Sequence, residues 1–88
     1  MSDDEMEKIE ELEQIAKMEQ IEQMEQIEKL QDVGVRTTYL EVKKKTMDAL
    51  AEYGNKAIPA ITKIADRTSY EDVKIHAMET VKKIKENE

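Results

Sequence analysis

Cysteine, phenylalanine and tryptophan are all absent from this chain of 88 residues. Without cysteine there is no disulfide, no thiolate nucleophile and no zinc–thiolate site. Aromatic side chains are confined to three tyrosines, so no array is available to stack on nucleic-acid bases. Breakers are equally scarce, at two glycines and one proline, and the stretch from Met1 to Val33 contains neither. Apolar runs are only a few residues long, far short of the roughly 20 that span a bilayer, which excludes a membrane-spanning helix. The opening Met1-Ser2-Asp3-Asp4-Glu5 is acidic and lacks the basic start and apolar centre of a secretory leader, so a cytoplasmic protein is expected.

Charged residues make up 40% of the chain and apolar ones 39%. That balance would suit a disordered chain, but the apolar residues are periodic, which predicts helix. The length allows one small domain, which buries only about 60–65% of its unfolded surface and is modestly stable unless copies associate. The net charge of −7 is unevenly spread. Residues 1–33 hold twelve Asp and Glu against three Lys, a net of −9, whereas residues 34–88 carry +2. Such a split suits an acidic arm that meets a basic partner, or one half that meets the other between subunits. The plainer reading is a solvated acidic helix.

The segment from Met1 to Val33 is rich in Glu, Gln, Lys, Leu and Met, all strong helix formers. Ser2 or Asp3 is placed to cap a helix, and Asp3, Asp4 and Glu5 suit its positive end. Gly34 reads as the left-handed residue that ends it. One helix over residues 4–33 is expected. Met6, Ile9, Leu12, Ile15, Met18, Ile21, Met24, Ile27, Leu30 and Val33 recur in it every three residues. An α-helix turns about 100° per residue, so the apolar stripe drifts back by about 60° at each step and spirals around the helix. A two-stranded coiled coil needs a 3.5-residue repeat and a long 3₁₀-helix is unfavourable. Different segments must therefore bury different faces, and at least two surfaces are expected to cover the helix. The run from Met18 to Lys29 is also low in complexity, and triplet expansion accounts for such a period without a structural demand.

Beyond Gly34 the chain repeats itself at an offset of 31 in the numbering. Arg36-Thr37-Thr38-Tyr39 falls on Arg67-Thr68-Ser69-Tyr70, and Val42, Lys43 and Met47 fall on Val73, Lys74 and Met78. Over residues 36–53 and 67–84, six of 18 pairs are identical. Periods of this size mark stacked helical units. Thr38 to Glu41 reads as a capping box, and Ser69 to Asp72 opens the last helix in the same way. The helix after Thr38 runs to about Tyr53, with Val42, Thr46, Ala49, Leu50 and Tyr53 on one face, and Gly54-Asn55 closes it. Pro59 falls in the first turn of a third helix, which buries Ile58, Ile61, Ile64 and Ala65 and ends near Arg67. Val73, Ala77, Val81 and Ile84 form the inner face of the fourth. Ile27, Leu30 and Val33 align with Ile58, Ile61 and Ile64, so the first unit begins inside the long helix. Repeats at about 24–54 and 55–85 follow, within a domain 24–88 preceded by a helical extension, 1–23.

The segments Val42-Lys43-x-x-Thr46-x-x-x-Leu50-x-x-Tyr53-Gly54 and Val73-Lys74-x-x-Ala77-x-x-x-Val81-x-x-Ile84 resemble the second helix of HEAT repeats, particularly the short HEAT-like kind. Asn55-Lys-Ala-Ile-Pro59-Ala-Ile-x-x-Ile64 resembles the first helix. Lys43 and Lys74 stand where that family usually has Arg, and two repeats fall below the three or more that stability normally needs. The resemblance, over about residues 27–85, implies an all-α superhelix of helix pairs that binds partners and performs no chemistry.

No nucleophile–base pair, phosphate loop or convergent metal-ligand set is present in the sequence, so no enzyme, cofactor or metal is expected. His76, the single histidine, takes an outward helical position and reads as a surface residue. Arg36, Tyr39, Arg67 and Tyr70 are the most faithfully repeated polar and aromatic residues. They suit a ladder of contacts along one edge, or else tyrosines packed under the turns and arginines on helix-end carbonyls. Met47 and Met78 flank the aliphatic stripes and read as padding between repeats. Lysines interleaved with acids and a local charge of only +2 argue against nucleic acid. The expected function is a protein-interaction or scaffold module with an unidentified protein partner. Met6, Ile9, Leu12, Ile15 and Met18 are its contact residues and a homodimer through the N-terminal helix its expected state. A nucleic-acid-associated or nucleic-acid-mimicking regulator is the alternative, and an arm folded back on the repeats in a stable monomer is a third arrangement.

Overall fold

The computed structural model describes residues 3–87. Four α-helices follow one another: α1 (Asp3–Arg36), α2 (Leu40–Ala51), α3 (Ile58–Asp66) and α4 (Glu71–Glu86), with a 3₁₀ turn, Gly54–Ala57, ahead of α3. Helices α1 and α3 lie side by side in one layer and α2 and α4 in the other, each pair packed across the layers. The 34 residues of α1 extend about 51 Å at 1.5 Å per residue, most of the 59 Å length of the molecule. Acidic residues fill its first turn and Arg36 its last, as the helix dipole favours. Glu13 and Lys17, and Glu25 and Lys29, stand at the i,i+4 spacing that favours a helix, on an exposed surface. Ser2, expected as a cap, lies outside the described residues; Asp3 is itself helical.

Gly34 does not end α1. The helix passes through it to Arg36, and Gly34 is buried. Its role is close approach: a Cβ there would run into the Cδ1 atom of Ile64, would lie 2.8 Å from Ile64 Cγ1 and would lie 3.2 Å from Thr46 Cγ2. The missing side chain lets α3 and α2 press against the end of α1. Left-handed backbone occurs instead at Gly54, with φ of 70°, where the chain leaves α2 for the 3₁₀ turn. Helix α2 accordingly stops at Ala51, before Tyr53.

The expected capping boxes are displaced as well. Tyr39 and Tyr70 are the N-caps of α2 and α4, both with extended backbone and no side-chain capping bond. Thr37 Oγ1 accepts the Tyr39 N–H at 3.2 Å, and Thr68 Oγ1 accepts the Tyr70 N–H at 3.2 Å. Because the N-cap is Tyr39 and not Thr38, Glu41 is the second helical residue, one short of the third, from which a carboxylate reaches back to the cap. The hydroxyl two residues before each N-cap holds the turn instead.

The core joins both helix pairs: Ile27, Met47, Leu50, Ala57, Ala60, Ile61, Ile64, Val73, Ala77 and Ile84 are buried together. Val33 and Val42, expected inside, are exposed. Besides Thr68, whose hydroxyl accepts the Tyr70 N–H, three polar residues are buried with their bonds made. Thr46 and Thr80 hydroxyls donate to the carbonyls of Val42 and His76, each at 2.7 Å. The ammonium of buried Lys43 donates to the Gly34 carbonyl at 2.8 Å and the Val35 carbonyl at 3.4 Å. Those carbonyls have no partner within the helix and lie at its negative end, so a cation there is favoured. The role expected of Arg36 thus falls to Lys43. Gly34→Ala sets a helix gain of about 1 kcal/mol against overpacking of about 1–3 kcal/mol. A net loss of about 1 kcal/mol is expected in urea denaturation. A more stable variant would show that Ile64 has room to turn aside.

Candidate interaction surfaces

Every residue from 3 to 26 is exposed, and of α1 only Ile27 and Gly34 are buried. Met6, Ile9, Leu12, Ile15 and Met18 are therefore in one continuous helix and in water, between 43% and 65% exposed. Neither of the two covering surfaces expected for this helix reaches residues 3–26 among the described residues. Helix α3 covers α1 only from Ile27 onward, because it has nine residues and starts at Ile58, the counterpart of Ile27. Where the overhang leaves the body, Lys56 Nζ donates to Gln23 Oε1 at 3.1 Å, an exposed bond at its base.

Arg36, Tyr39, Arg67 and Tyr70 are all exposed. The matching hydroxyl-held turns present each Arg–Tyr pair in the same local frame, one pair per helix pair. The tyrosines are not packed beneath the turns; Tyr39 is among the most exposed large side chains.

Between α3 and α4 lies an open groove of about 810 Å³. Ala65, Ala77, Met78 and Val81 give it an apolar lining, edged by Lys74 and Lys82. The two repeated methionines part company here: Met47 is fully buried and Met78 is 71% exposed. Position in the repeat does not by itself bury a side chain; the neighbouring helix pair does.

His76 is half-buried rather than a free surface residue, and its Nε2 lies 2.7 Å from Asp48 Oδ1. Its position one turn inside α4 brings it beside α2, so the pair ties the two helix pairs together. Nothing in the sequence marks this contact except the lone histidine and one acid among many, on a different helix. No cluster of metal-ligating side chains occurs among the described residues, and no helix is long and apolar enough to cross a membrane. No family model matches the chain, and no curated protein or solved structure does so either. The His76–Asp48 pair is largely open to water, so Asp48→Ala is expected to lower stability by less than about 1 kcal/mol in urea denaturation. A loss several times larger would make the pair a principal tie between the helix pairs.

Proposed function

We propose that this chain is a non-enzymatic protein-interaction module that associates with itself through the N-terminal half of α1. The observation that carries the reading is the row Met6, Ile9, Leu12, Ile15 and Met18, exposed on a helix that overhangs the body. Apolar surface of this extent, rimmed by charge, is typical of a contact site. Its geometry constrains the contact. Successive residues step back by about 60°, so only two or three of them face any one direction. Two such helices cross and touch over about two turns instead of running side by side. A two-fold dimer crossing at Leu12 and Ile15 buries the middle of the row and lets the acidic ends diverge. The offset of 31, with its paired turns, supports a short HEAT-like stack as the body that carries this helix.

The competing reading is a nucleic-acid-associated or nucleic-acid-mimicking regulator; the net charge of −9 over residues 1–33 favours the mimicking form, because it repels phosphates. Light scattering on the full chain and on the Leu12→Glu/Ile15→Glu variant separates the two. A mass that falls in the variant relative to the full chain at the same concentration, with unchanged helix content by circular dichroism, supports self-association through α1. Identical masses for both proteins would remove it. Binding of duplex DNA or RNA that fades steeply with added salt would support direct nucleic-acid association.

A further inference from the structure

The offset of 31 relates not only the two helix pairs but also the two faces at which they meet. Helices α3 and α4 pack on α1 and α2 through one face, and the groove on α1 and α2 that receives them has a counterpart on α3 and α4. That counterpart is the open groove lined by Ala65, Lys74, Ala77, Met78 and Val81, which are the offset partners of Gly34, Lys43, Thr46, Met47 and Leu50. All five of the latter are buried. The inserting face has its own counterpart: Ile64 and Val73 are fully buried, while their partners Val33 and Val42 are 49% and 36% exposed. The molecule thus carries an unfilled socket at one end and an unused plug at the other.

Two contacts inside the molecule show whether that plug fits that socket. Ile64 packs against Gly34, so closely that Gly34 has no room for a Cβ. At the open ends the partners are Val33 and Ala65. The socket residue has gained a methyl and the plug residue has lost one, so the combined volume is conserved. His76 lies 2.7 Å from Asp48 across the internal junction. The partners at the open ends are Lys45 and Glu79, both exposed, which again oppose a basic side chain to an acidic one. Steric fit and charge are therefore both retained at positions where nothing within the described residues requires it.

We propose that the α3–α4 groove is a docking site for a second copy of this chain, which inserts its Val33–Val42 face so that Lys45 meets Glu79 of the receiving copy. The contact is head-to-tail, so it leaves a free plug and a free socket and repeats into an open-ended stack. It uses none of the overhanging residues 3–23 and does not depend on association through Leu12 and Ile15. Full-length Leu12→Glu/Ile15→Glu protein is the background for the test, because association that remains there reports on the groove alone. Sedimentation of this protein is expected to show a mass that rises with concentration beyond a dimer. Lys45→Glu and Glu79→Lys, each added singly, are expected to weaken association about tenfold or more by placing like charges together. Mixing the two variants restores it, since each plug then meets a socket of opposite charge. Restoration also shows that both variants are folded. Met78→Glu, within the groove, is expected to abolish stacking. One unchanging mass at all concentrations, or charge reversals without effect, or a mixture that fails to recover, would each overturn the proposal.

Discussion

The close approach of α3 to α1 at Gly34 is the constraint on which the rest of the body depends. A side chain at that position would meet Ile64, one of the few fully buried large residues. Its absence sets the spacing of the first layer and seats Ile64 beside Thr46 of the second layer. Because α1 continues helically through Gly34, its last carbonyls turn toward α2 and are met by the Lys43 ammonium. A left-handed stop at Gly34 would have misdirected those carbonyls and left Lys43 a buried charge without partners, which costs several kcal/mol. One missing methyl group thus fixes a helix length, a layer spacing and the location of a buried cation.

A body this small has little interior, and its core draws on all four helices rather than on one pair. Neither helix pair buries an apolar face alone; each supplies half of a shared interior. The consequence is visible at both ends, where the same residue types that are buried at the junction stand in water. Met47 and Met78 occupy equivalent places in the repeat and opposite environments. The overhanging half of α1 poses a different problem. It stays helical through its own composition and dipole-compatible charges, not through packing, and its spiral stripe offers only short contact faces.

Much of this is legible in the residues. The four helices, Pro59 at the opening of α3 and the aliphatic faces of α3 and α4 follow from periodicity and the offset of 31. The departures share one origin. Gly34 matches the commonest use of glycine at a helix end, whereas its actual use depends on Ile64, far along the chain. Thr38 and Ser69 match the pattern of a cap, yet Thr37 and Thr68 are the strictly repeated pair and hold the turns. Identity within the repeat is the better signal. His76 and Asp48 have no local signature, because the contact exists only once α4 lies on α2.

Local chemistry therefore determined, from sequence alone, that this chain is helical, where its helices begin and end to within a few residues, and which faces are apolar. It did so because helix propensity and periodicity act over one or two turns. Only the tertiary structure decided which of those apolar faces are covered. Val33 and Ile64, or Met47 and Met78, are equivalent by every local rule, and they differ because burial is set by the presence of a neighbour. For the same reason the three-residue spiral of α1, whose period asks for two covers, has none from Asp3 to Gln26.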